Sequence, residues 1–565
     1  VIVGSVQSGM PEHTHQTCTE VKLPALTLEN PQLWSCESPQ LYNAEVVVTA
    51  DGMVVDSLTE QFGIRSLEFS PEFGFKLNGK KIFLQGNANH HDLGALGATC
   101  YDKAIERMML QLKSFGYNCI RCSHNPYSDS FARIADRVGI LVVDELTDKW
   151  SDNDYWGGRQ PFTHIWHKLI TEWIKRDRNR PSIILWSLGN ELQIREGWAG
   201  FEGTNDWGIT TYNIFNQLVK RWDHTRLTTV AMFPARAGAI TRHDKEFNDY
   251  LVPPELACAT EVASFNYQSD KYDAYLKYRP DLILFQSEAE TSNLLQPYYN
   301  MDKERMVGIA YWGSVEYWGE SNKWPKKGWN YSFFEHTMRP YPQAYLIKTA
   351  FMPEIPEVHI GVVDAAGSVS WNDVIVGRMA LNECWNHTPG SRRSLFTFTN
   401  AHSVELLVNG QSMGIQKNDT TRANLRNMIY WKDVPYGNGG SVVAIARDKS
   451  GKEVARHRIE TAGKAVALRI EAETPTDWKA DGMDLQYINV TVIDKKGRPV
   501  WDYNEPLTLQ MEGAARLVAL DNGDHYTDEL FHGITSKRMY QGRMQIILRS
   551  DQEAGNVTVK ISSAG

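Results

Sequence analysis

The segment "ILWSLGNE", residues 184–191, begins as a strand and ends on a carboxylate. Together with Ile183, the run Ile184–Trp186 is continuously apolar, which is typical of a strand that is buried on both faces. Glu191 follows within a few residues, and a carboxylate behind a buried strand is costly unless a partner or a reaction uses it. The segment therefore predicts a buried strand and raises the question of what Glu191 is paired with.

Seven further strand-like segments surround this one and alternate with helical segments. They cover residues 81–88, 117–123, 140–146, 226–232, 262–268, 282–288 and 308–314. Gly116 and Gly139 follow two of the helical segments, where a glycine commonly ends a helix. Eight strand–helix repeats over about 270 residues predict a (β/α)8 TIM barrel. A doubly wound open sheet is the alternative, but no GxGxxG motif follows a first strand.

Alternating apolar and polar residues without helices lie on both sides of the predicted barrel. The "DG" at 51–52, the "NG" at 409–410 and the "KSG" at 449–451 indicate hairpin turns. We therefore predict a multidomain chain in which immunoglobulin-like β-sandwich domains flank the barrel. The predicted division is a partial immunoglobulin-like sandwich at 1–70, the barrel at 71–355, and two further immunoglobulin-like sandwiches at 356–463 and 464–565. Because the first sandwich is incomplete, we treat the sequence as a possible fragment.

Composition excludes several classes of protein. The formal net charge of -9 over 565 residues argues against a nucleic-acid surface. No long uncharged apolar run occurs, so we expect no transmembrane span. The seven cysteines do not form a disulfide framework. Cys119 and Cys122 form a CxxC pair, but they lie in a strand-like segment, which favours a buried strand over metal or redox chemistry.

Polar residues collect at the carboxyl ends of the predicted strands, where barrel enzymes carry their active sites. Glu191 follows the fourth strand and Glu288 closes the seventh, so the two can meet at the barrel mouth. Two carboxylates that flank a cleft are what cleavage of a glycosidic bond requires. A salt bridge to an arginine would explain Glu191 alone equally well. With Asn190 and Tyr267 at neighbouring strand ends, the pair favours catalysis.

Several motifs resemble glycoside hydrolase family 2, which includes β-galactosidases, β-glucuronidases and β-mannosidases. "FGIRSLEF", "NHHDLGALGA", "IRCSHNP", "VVDE", "WSLGNE" and "FQSE" occur in the family order. The segment "LDNGDHYTDELF" is similar to the last domain of bacterial multidomain β-galactosidases. The resemblance implies a sugar substrate, an oligo- or polysaccharide β-glycoside, and it favours a periplasmic or secreted location.

The resemblance also implies residue roles. Glu191 matches the general acid/base and Glu288 the nucleophile of a retaining mechanism, with the two carboxyl groups about 5–5.5 Å apart. Glu290 is also acidic, but "QSE" at the close of a strand matches the family pattern at Glu288. The substrate-binding residues implied or expected around these two are His90, Asp92, Arg121, His124, Asn190, Tyr267, Trp312 and Lys327.

Individual roles differ within this set. Tyr267 matches a tyrosine that donates to the nucleophile, and Arg121 is expected to orient a carboxylate, most simply that of Glu288. Asn190 is expected to hold the sugar hydroxyl beside the reacting carbon. Trp312 is either a stacking floor for the sugar or part of the barrel core. For His91 a structural role is the better interpretation.

The choice between a neutral and an anionic glycone depends on the loop after the eighth predicted strand. Family β-glucuronidases bind the uronate with an Asn-x-Lys motif before a glycine, and the segment here is "WPKKG", 324–328. Lys327 is in position, but Pro325 replaces the asparagine. Lys323, Lys326 and Lys327 either meet an anionic sugar or form a solvated loop. A neutral β-galactoside is therefore the first choice, a β-glucuronide or another anionic β-glycoside the alternative.

Two further expectations concern cofactors and class. Histidines, cysteines and acids do not group at zinc-ligand spacing, so we expect no metal, and the two-carboxylate mechanism needs no cofactor. A non-catalytic carbohydrate-binding protein is the alternative from another class. The occurrence of both Glu191 and Glu288 argues against it, because a non-catalytic barrel is free to lose either.

Overall fold

A computed structural model describes residues 4–9, 21–151, 160–192, 206, 208–233, 252–291, 294–321, 324–371 and 374–563. Its centre is a closed barrel of eight parallel strands, which confirms the predicted fold class. The strands are, in chain order, Leu84–Asn89, Cys119–Cys122, Leu141–Glu145, Ile183–Asn190, Leu227–Met232, Val262–Asn266, Leu284–Ala289 and Gly308–Trp312. The eighth strand pairs with the first, Gly308 opposite Leu84, and this pairing closes the barrel.

Helices follow the strands on the outside of the barrel. The described α-helices of the chain are Asp102–Ser114, Asp129–Val138, Phe162–Asp177, Ile209–Trp222, Glu255–Ala259, Tyr272–Tyr278, Gln296–Asn300 and Ala344–Phe351, and short 3-10 helices cover Gly94–Leu96 and Ser269–Lys271. Gly139 ends the second α-helix with φ 78° and donates to Ala135 O, a left-handed C-cap. Among these helices none has both the length and the apolar character needed to cross a bilayer.

The barrel has an inner and an outer apolar layer. Inside, Leu141, Leu185 and Phe285 belong to one buried cluster with Trp34 and Phe75 from the chain before the barrel. The outer layer packs the helices on the strands. Burial of a Leu or Phe side chain contributes about 1.5–3 kcal/mol, so these layers make the strand ends a rigid support. Cys119 and Cys122 are buried free thiols of the second strand.

The chain before the barrel forms two small sheets. Strands Tyr42–Ala50 and Met53–Phe62 form a hairpin, and Leu67–Ser70, Gly74–Leu77 and Lys80–Lys81 form a three-stranded sheet. The hairpin turns at Asp51 and Gly52, with φ 51° and 77°. Positive φ at both central residues is the geometry for which Asp-Gly is favoured.

Two layered β-structures follow the barrel. In the first, a sheet of Val374–Asn382, Val358–Trp371, Arg392–Thr399 and Met428–Pro435 faces a sheet of Gln411–Lys417, Ser403–Val408, Ser441–Arg447 and Glu453–Glu460. In the second, a sheet of Ala465–Ala472, Leu485–Asp494, Arg543–Ser550 and Ala515–Asp521 faces one of Ser536–Arg538, Pro506–Gly513 and Val557–Ser563. The predicted turns at 409–410 and 449–451 connect paired strands. The division at residues 70, 355 and 463 remains our proposal.

A buried ion-pair group joins the last sheet structure to the barrel. His336 lies 3.0 Å from Glu316 through Nδ1 and 2.9 Å from Asp521 through Nε2. Burial alone would lower the pKa of His336, but Asp521 and then Glu316 raise it well above its ordinary value. The loop after the eighth strand, which also carries the short ladder Tyr317–Trp318 and Gly328–Trp329, is therefore held against the last domain.

Candidate active site

Two residues at strand ends turn away from the barrel ladder. Glu191 has φ 50° and Tyr267 has φ 58°, values that L-residues seldom adopt and that cost about 1–3 kcal/mol each. The Glu191 N–H still donates to Ala231 O of the fifth strand at 2.7 Å, and the Tyr267 N–H donates to Glu288 O at 2.9 Å. Hydrogen bonds to the neighbouring strands therefore hold the backbones of Glu191 and Tyr267 in place, although both residues depart from strand conformation.

Glu288 is buried at the end of the seventh strand, 2% exposed. Its Oε1 accepts from Arg121 Nη1 at 2.7 Å, and its Oε2 accepts from the Tyr267 hydroxyl at 2.7 Å. Burial raises the pKa of Tyr267 well above its usual value, and the carboxylates of Glu288 and Glu191 raise it further. The Tyr267 hydroxyl therefore joins the end of the sixth strand to Glu288 at the end of the seventh.

Glu191 is also buried, 6% exposed. Its Oε1 accepts from Asn266 Nδ2 at 3.2 Å, and the same amide donates to Asn190 Oδ1 at 3.0 Å. Ser287 Oγ donates to Asn266 Oδ1 at 2.8 Å, which fixes the orientation of that amide. Asn266 is absent from the residues predicted for the site. Its signal was its place at the end of the sixth strand, immediately before Tyr267.

Arg121 connects the two sides of the site from the second strand. It is fully buried and donates to Glu145 Oε2 through Nε at 3.0 Å and Nη2 at 2.7 Å, in addition to its bond to Glu288. Nη2 also donates to Asn190 Oδ1 at 3.0 Å. Burial alone would lower the pKa of Arg121, but Glu145 and then Glu288 raise it above its ordinary value. A buried guanidinium of this kind is stable only while carboxylates compensate it.

Glu145 is the second residue that the predicted set lacks. Burial favours a raised pKa for Glu145, but Arg121 and then His124 lower it below its ordinary value. His124 Nδ1 lies 2.6 Å from Glu145 Oε1, and Glu145 outweighs burial so that the pKa of His124 is raised. Ser187 Oγ donates to Glu145 at 2.7 Å. The signal was "VVDE", where an apolar strand ends on a carboxylate.

Asn190 is held by its neighbours on both sides of its amide. Its Nδ2 donates to Asp148 Oδ1 at 3.1 Å and lies 3.3 Å from His124 Nε2. A cavity of about 810 Å³ opens beside His124 and Asp148. Its other lining residues come from the loops after the second and third strands and from the helix Phe162–Asp177, and neither Glu191 nor Glu288 lines it, so it lies beside the network rather than between the two glutamates.

Aromatic rings at the ends of the first and eighth strands form one wall of the candidate site. Trp312 stacks on His124 with ring centroids 5.3 Å apart and planes at 8°, and it also belongs to the inner barrel cluster. His90 presents its edge to Trp312 at 5.1 Å and to Tyr317 at 5.0 Å. Glu320 Oε1 lies 3.7 Å from His90 Nε2, and Glu320 Oε2 accepts from the Tyr317 hydroxyl. Glu320 had not been predicted.

Two predicted loop residues have backbone partners. Asp92 Oδ1 accepts from Gly94 N at 2.8 Å and Oδ2 from Trp318 N at 3.1 Å. Its carboxylate therefore holds two loops in place. That Asp92 also binds a sugar hydroxyl, through its remaining lone pairs, stays a prediction. His91 Nε2 lies 2.7 Å from Thr99 O, which agrees with a structural role.

Lys327 forms no ion pair with the glutamates of the site within the described residues. Its Nζ is 5.1 Å from the Trp324 ring centroid. Burial lowers the pKa of Lys537 in the last domain; Glu529 and Asp521 raise it, and Lys327 lowers it further. Within the described residues Lys327 Nζ has no hydrogen-bond acceptor. Lys326 lies 4.3 Å from the Tyr331 ring, and Lys323 falls outside the described residues.

Family models match most of the chain in consecutive segments. Residues 3–65 match the model "Glycosyl hydrolases family 2", and residues 72–303 match "Glycosyl hydrolases family 2, TIM barrel domain". Residues 390–455 match a domain of unknown function. Residues 468–565 match "Glycoside hydrolase family 2 C-terminal domain 5".

Similar proteins carry two different names. A β-galactosidase of Bacteroides ovatus is 27% identical over 605 residues, covering 96% of this chain and 67% of that protein. A putative β-glucuronidase of Formosa agariphila is 42% identical over 184 residues, covering 32% of this chain and 18% of that protein. The chain spans about two thirds of the first relative and less of the second.

A solved structure agrees with these relatives. A glycosyl hydrolase family 2 member from Bacteroides cellulosilyticus superimposes with a TM-score of 0.80 at 29% identity, covering 95% of this chain and 67% of that chain. The agreement extends through the barrel and the sheets that flank it.

Proposed function

The chain belongs to glycoside hydrolase family 2, and on that premise we propose that it is a retaining, exo-acting hydrolase of terminal β-galactosides. The observation that carries the proposal is that Glu191 and Glu288, at the ends of the fourth and seventh strands, accept hydrogen bonds from the consecutive residues Asn266 and Tyr267. A double-displacement mechanism requires two carboxyl groups, one as nucleophile and one as acid/base, at the same cleft.

In the first step, a carboxylate oxygen of Glu288 attacks the anomeric carbon while the glycosidic C–O bond breaks. Glu191 gives its proton to the departing oxygen, so the aglycone leaves as an alcohol. In the second step, Glu191 takes a proton from water, whose oxygen displaces Glu288 from the sugar. The enzyme returns to its initial protonation state, and the two inversions together retain the anomeric configuration.

The surrounding residues position these two groups. Arg121 Nη1 and the Tyr267 hydroxyl each hold one oxygen of Glu288, which orients the carboxylate before the sugar arrives. Glu145 takes the other side of the guanidinium, so Arg121 and Glu288 stay aligned. Preorganised dipoles of this kind do not have to reorient during the reaction. Asn266 orients Glu191 in the same sense.

Glu320 supports a neutral glycone. Its carboxylate lies beside His90, 3.7 Å from Nε2, on the aromatic wall of the proposed sugar site. A uronate carboxylate near Glu320 would be repelled by its negative charge. Such repulsion contributes to specificity because it disfavours binding of an anionic sugar. Hydroxyl groups of a galactoside can instead donate to Glu320. The name of the Bacteroides ovatus relative agrees with this choice.

A β-glucuronidase is the second candidate. The ammonium group of Lys327 has no acceptor within the described residues, and a uronate would supply one. The names of other relatives agree with this alternative. Substrate comparison separates the two candidates directly.

We expect the chain to hydrolyse a 4-nitrophenyl β-galactoside with a kcat/KM about 100-fold above that for the β-glucuronide, because the uronate meets Glu320. Lys327→Ala should change the galactoside kcat/KM by less than about twofold, since a neutral sugar has no use for that charge. Initial rates on a panel of galacto-, glucurono-, manno- and fuco-configured aryl β-glycosides provide the measurement.

Lys479→Ala, at an exposed position of the last domain, is the matched control for the loss of one lysine. If the glucuronide is the better substrate and Lys327→Ala alone removes its cleavage, the β-galactosidase proposal is wrong. The lysine loop would then determine the glycone.

Two groups of histidine and glutamate outside the site have the composition of metal ligands, and several of their ligand atoms already make hydrogen bonds. In Glu316, His336 and His525, both nitrogens of His336 face carboxylates at 3.0 and 2.9 Å. In His359, Glu383 and His457, His359 Nε2 lies 2.8 Å from Glu383 Oε1, and His457 Nδ1 accepts from Ile360 N at 3.1 Å. Ligand atoms that already serve hydrogen bonds are poorly available to an ion.

Dialysis against EDTA is therefore expected to leave kcat and KM for the aryl galactoside unchanged, because both steps use carboxylates and water alone. Activity and the thermal midpoint are measured together on the dialysed enzyme. A large loss of activity at an unchanged thermal midpoint, reversed by a single divalent ion, would contradict the metal-free mechanism. A parallel fall of both quantities would indicate a structural ion instead.

A further inference from the structure

A second cavity lies between the barrel and the two C-terminal sheet structures. It encloses about 310 Å³. Residues 330–333 of the barrel loop, 380–382 of the first sheet structure and 523–526 of the last domain line it. Because small-molecule pockets begin at about 300 Å³, the space suits one compact ligand group such as a single sugar ring.

Several polar atoms at this cavity are buried without a hydrogen-bond partner among the described residues. They are Asn330 Oδ1, Ser332 Oγ, Gln343 Oε1 and His525 Nε2. Ser332 is 3% exposed and His525 is 4% exposed. A buried polar atom without a partner is costly, and native structures avoid it. All four residues line the cavity, so an occupant or an ordered water there could supply their partners.

The orientation of the two amides is already determined by the protein. Gln343 Nε2 donates to Ser332 O at 3.1 Å, and Asn330 Nδ2 donates to the Tyr526 hydroxyl at 3.4 Å. Their carbonyl oxygens are thus left as acceptors. Ser332 Oγ and His525 Nε2 can donate or accept. An occupant with several hydroxyl groups, each able to donate and accept, matches this mixture.

The charges around the cavity disfavour an anion. The described lining residues include the carboxylates of Glu316, Asp364 and Asp524, and they include neither lysine nor arginine. Tyr331 and Tyr526 add rings with polar edges, which pack against the apolar face of a sugar while their edges stay hydrogen-bonded. This composition selects a neutral, hydroxyl-rich ligand.

The cavity is adjacent to the proposed catalytic site. Thr291, three residues after Glu288, lines it and donates to Tyr331 O at 2.5 Å. The Trp329 ring lies between Tyr331 and Tyr317, with centroids 4.9 and 6.5 Å away. Tyr317 in turn contacts His90 at 5.0 Å. These ring contacts therefore lie between the cavity and His90.

We propose that this cavity is a non-catalytic subsite for a neutral sugar unit, with Asn330, Ser332, Gln343 and His525 as hydrogen-bond partners and Tyr526 as the packing surface. The identity of the ligand rests on the proposed function, since a glycoside hydrolase acts among saccharides. The subsite gives the last domain a share in carbohydrate binding, because His525 and Tyr526 come from its loop.

Lactose binding to the full chain provides the test, measured by calorimetric titration of the Glu288→Gln variant so that no hydrolysis occurs. We expect two binding events. Adding Tyr526→Ala should weaken one of them about tenfold, because the ring and its bond to Asn330 are lost together. Ser332→Ala, a change too small to disturb folding, should weaken the same event about threefold. Glucuronate should not compete for it.

Tyr430→Ala is the matched control, because Tyr430 is similarly exposed, 46% against 41% for Tyr526, and its hydroxyl also makes one hydrogen bond. It should change neither event. Lactose binding that is insensitive to both Tyr526→Ala and Ser332→Ala would overturn the inference and leave a cavity that holds water. Turnover of aryl glycosides by the unaltered chain tests the proposed function separately. If no aryl glycoside is turned over but lactose binding still depends on Tyr526, the proposed hydrolase function is wrong and the proposed subsite stands.

Discussion

Glu288→Gln is expected to lower kcat/KM for the aryl β-galactoside by about 10⁴-fold or more, because an amide cannot form the glycosyl ester. The change is close to isosteric, so binding and folding should persist. One of the two donors now at the carboxylate, Arg121 Nη1 or the Tyr267 hydroxyl, would face the new amide N–H. A modest fall in the thermal midpoint is therefore expected beside the loss of turnover.

Glu290→Gln is the control for this result, since Glu290 follows Glu288 by two residues and differs in being only partly buried. It should retain most of the activity. An aryl 2-deoxy-2-fluoro-β-galactoside should trap the ester, and mass spectrometry of the digest should locate the added sugar on Glu288. A label on Glu290, or an active Glu288→Gln enzyme, would refute the assignment of the nucleophile.

Glu191→Gln should cause a loss that depends on the leaving group. Proton donation contributes about 10²- to 10⁴-fold in general acid catalysis, so substrates with alcohol leaving groups should lose that much in kcat/KM. Dinitrophenyl glycosides need no proton and should still form the glycosyl-enzyme. The hydrogen bond from Asn266 Nδ2 at 3.2 Å can be kept by the glutamine oxygen, so the geometry should survive.

Azide separates an acid/base role from a positioning role. It attacks the glycosyl-enzyme without needing a base, so it should restore turnover of the activated substrate in Glu191→Gln and yield a β-glycosyl azide. It should not do so in Glu288→Gln, where no glycosyl-enzyme forms. Equal losses on good and poor leaving groups, with no effect of azide, would count against Glu191 as the acid/base.

Local patterns in the sequence were sufficient for the architecture. The eight apolar segments are barrel strands because a strand covered on both faces has no polar side to alternate. Gly139 ends a helix and Asp51-Gly52 turns a hairpin because few other residues accept positive φ. The exact ends of the strands were predicted less accurately. The fourth strand continues to Asn190, two residues beyond the predicted segment 182–188.

The two glutamates could be found in the same way, because a carboxylate after a buried strand is conspicuous. Their supporting residues could not all be found. Glu145 and Asn266 also end apolar strands, but what each one holds depends on which strand ends are neighbours in the closed barrel. The family resemblance assigned Asp92 to the sugar, which stays a prediction. Only the folded chain shows that both of its oxygens also accept backbone N–H groups, from loops distant in sequence.

The sequence alone therefore determined the barrel, its hairpin-rich flanks and the two candidate catalytic carboxylates, since hydrophobic period and turn chemistry act over a few residues. Only the tertiary structure decided that Arg121 joins Glu145 to Glu288, that Glu320 stands beside His90, and that the loop at 523–526 closes a second cavity. Hydrogen bonds and charges act over a few ångströms in space. Barrel closure and domain docking bring together residues that are tens to hundreds of positions apart.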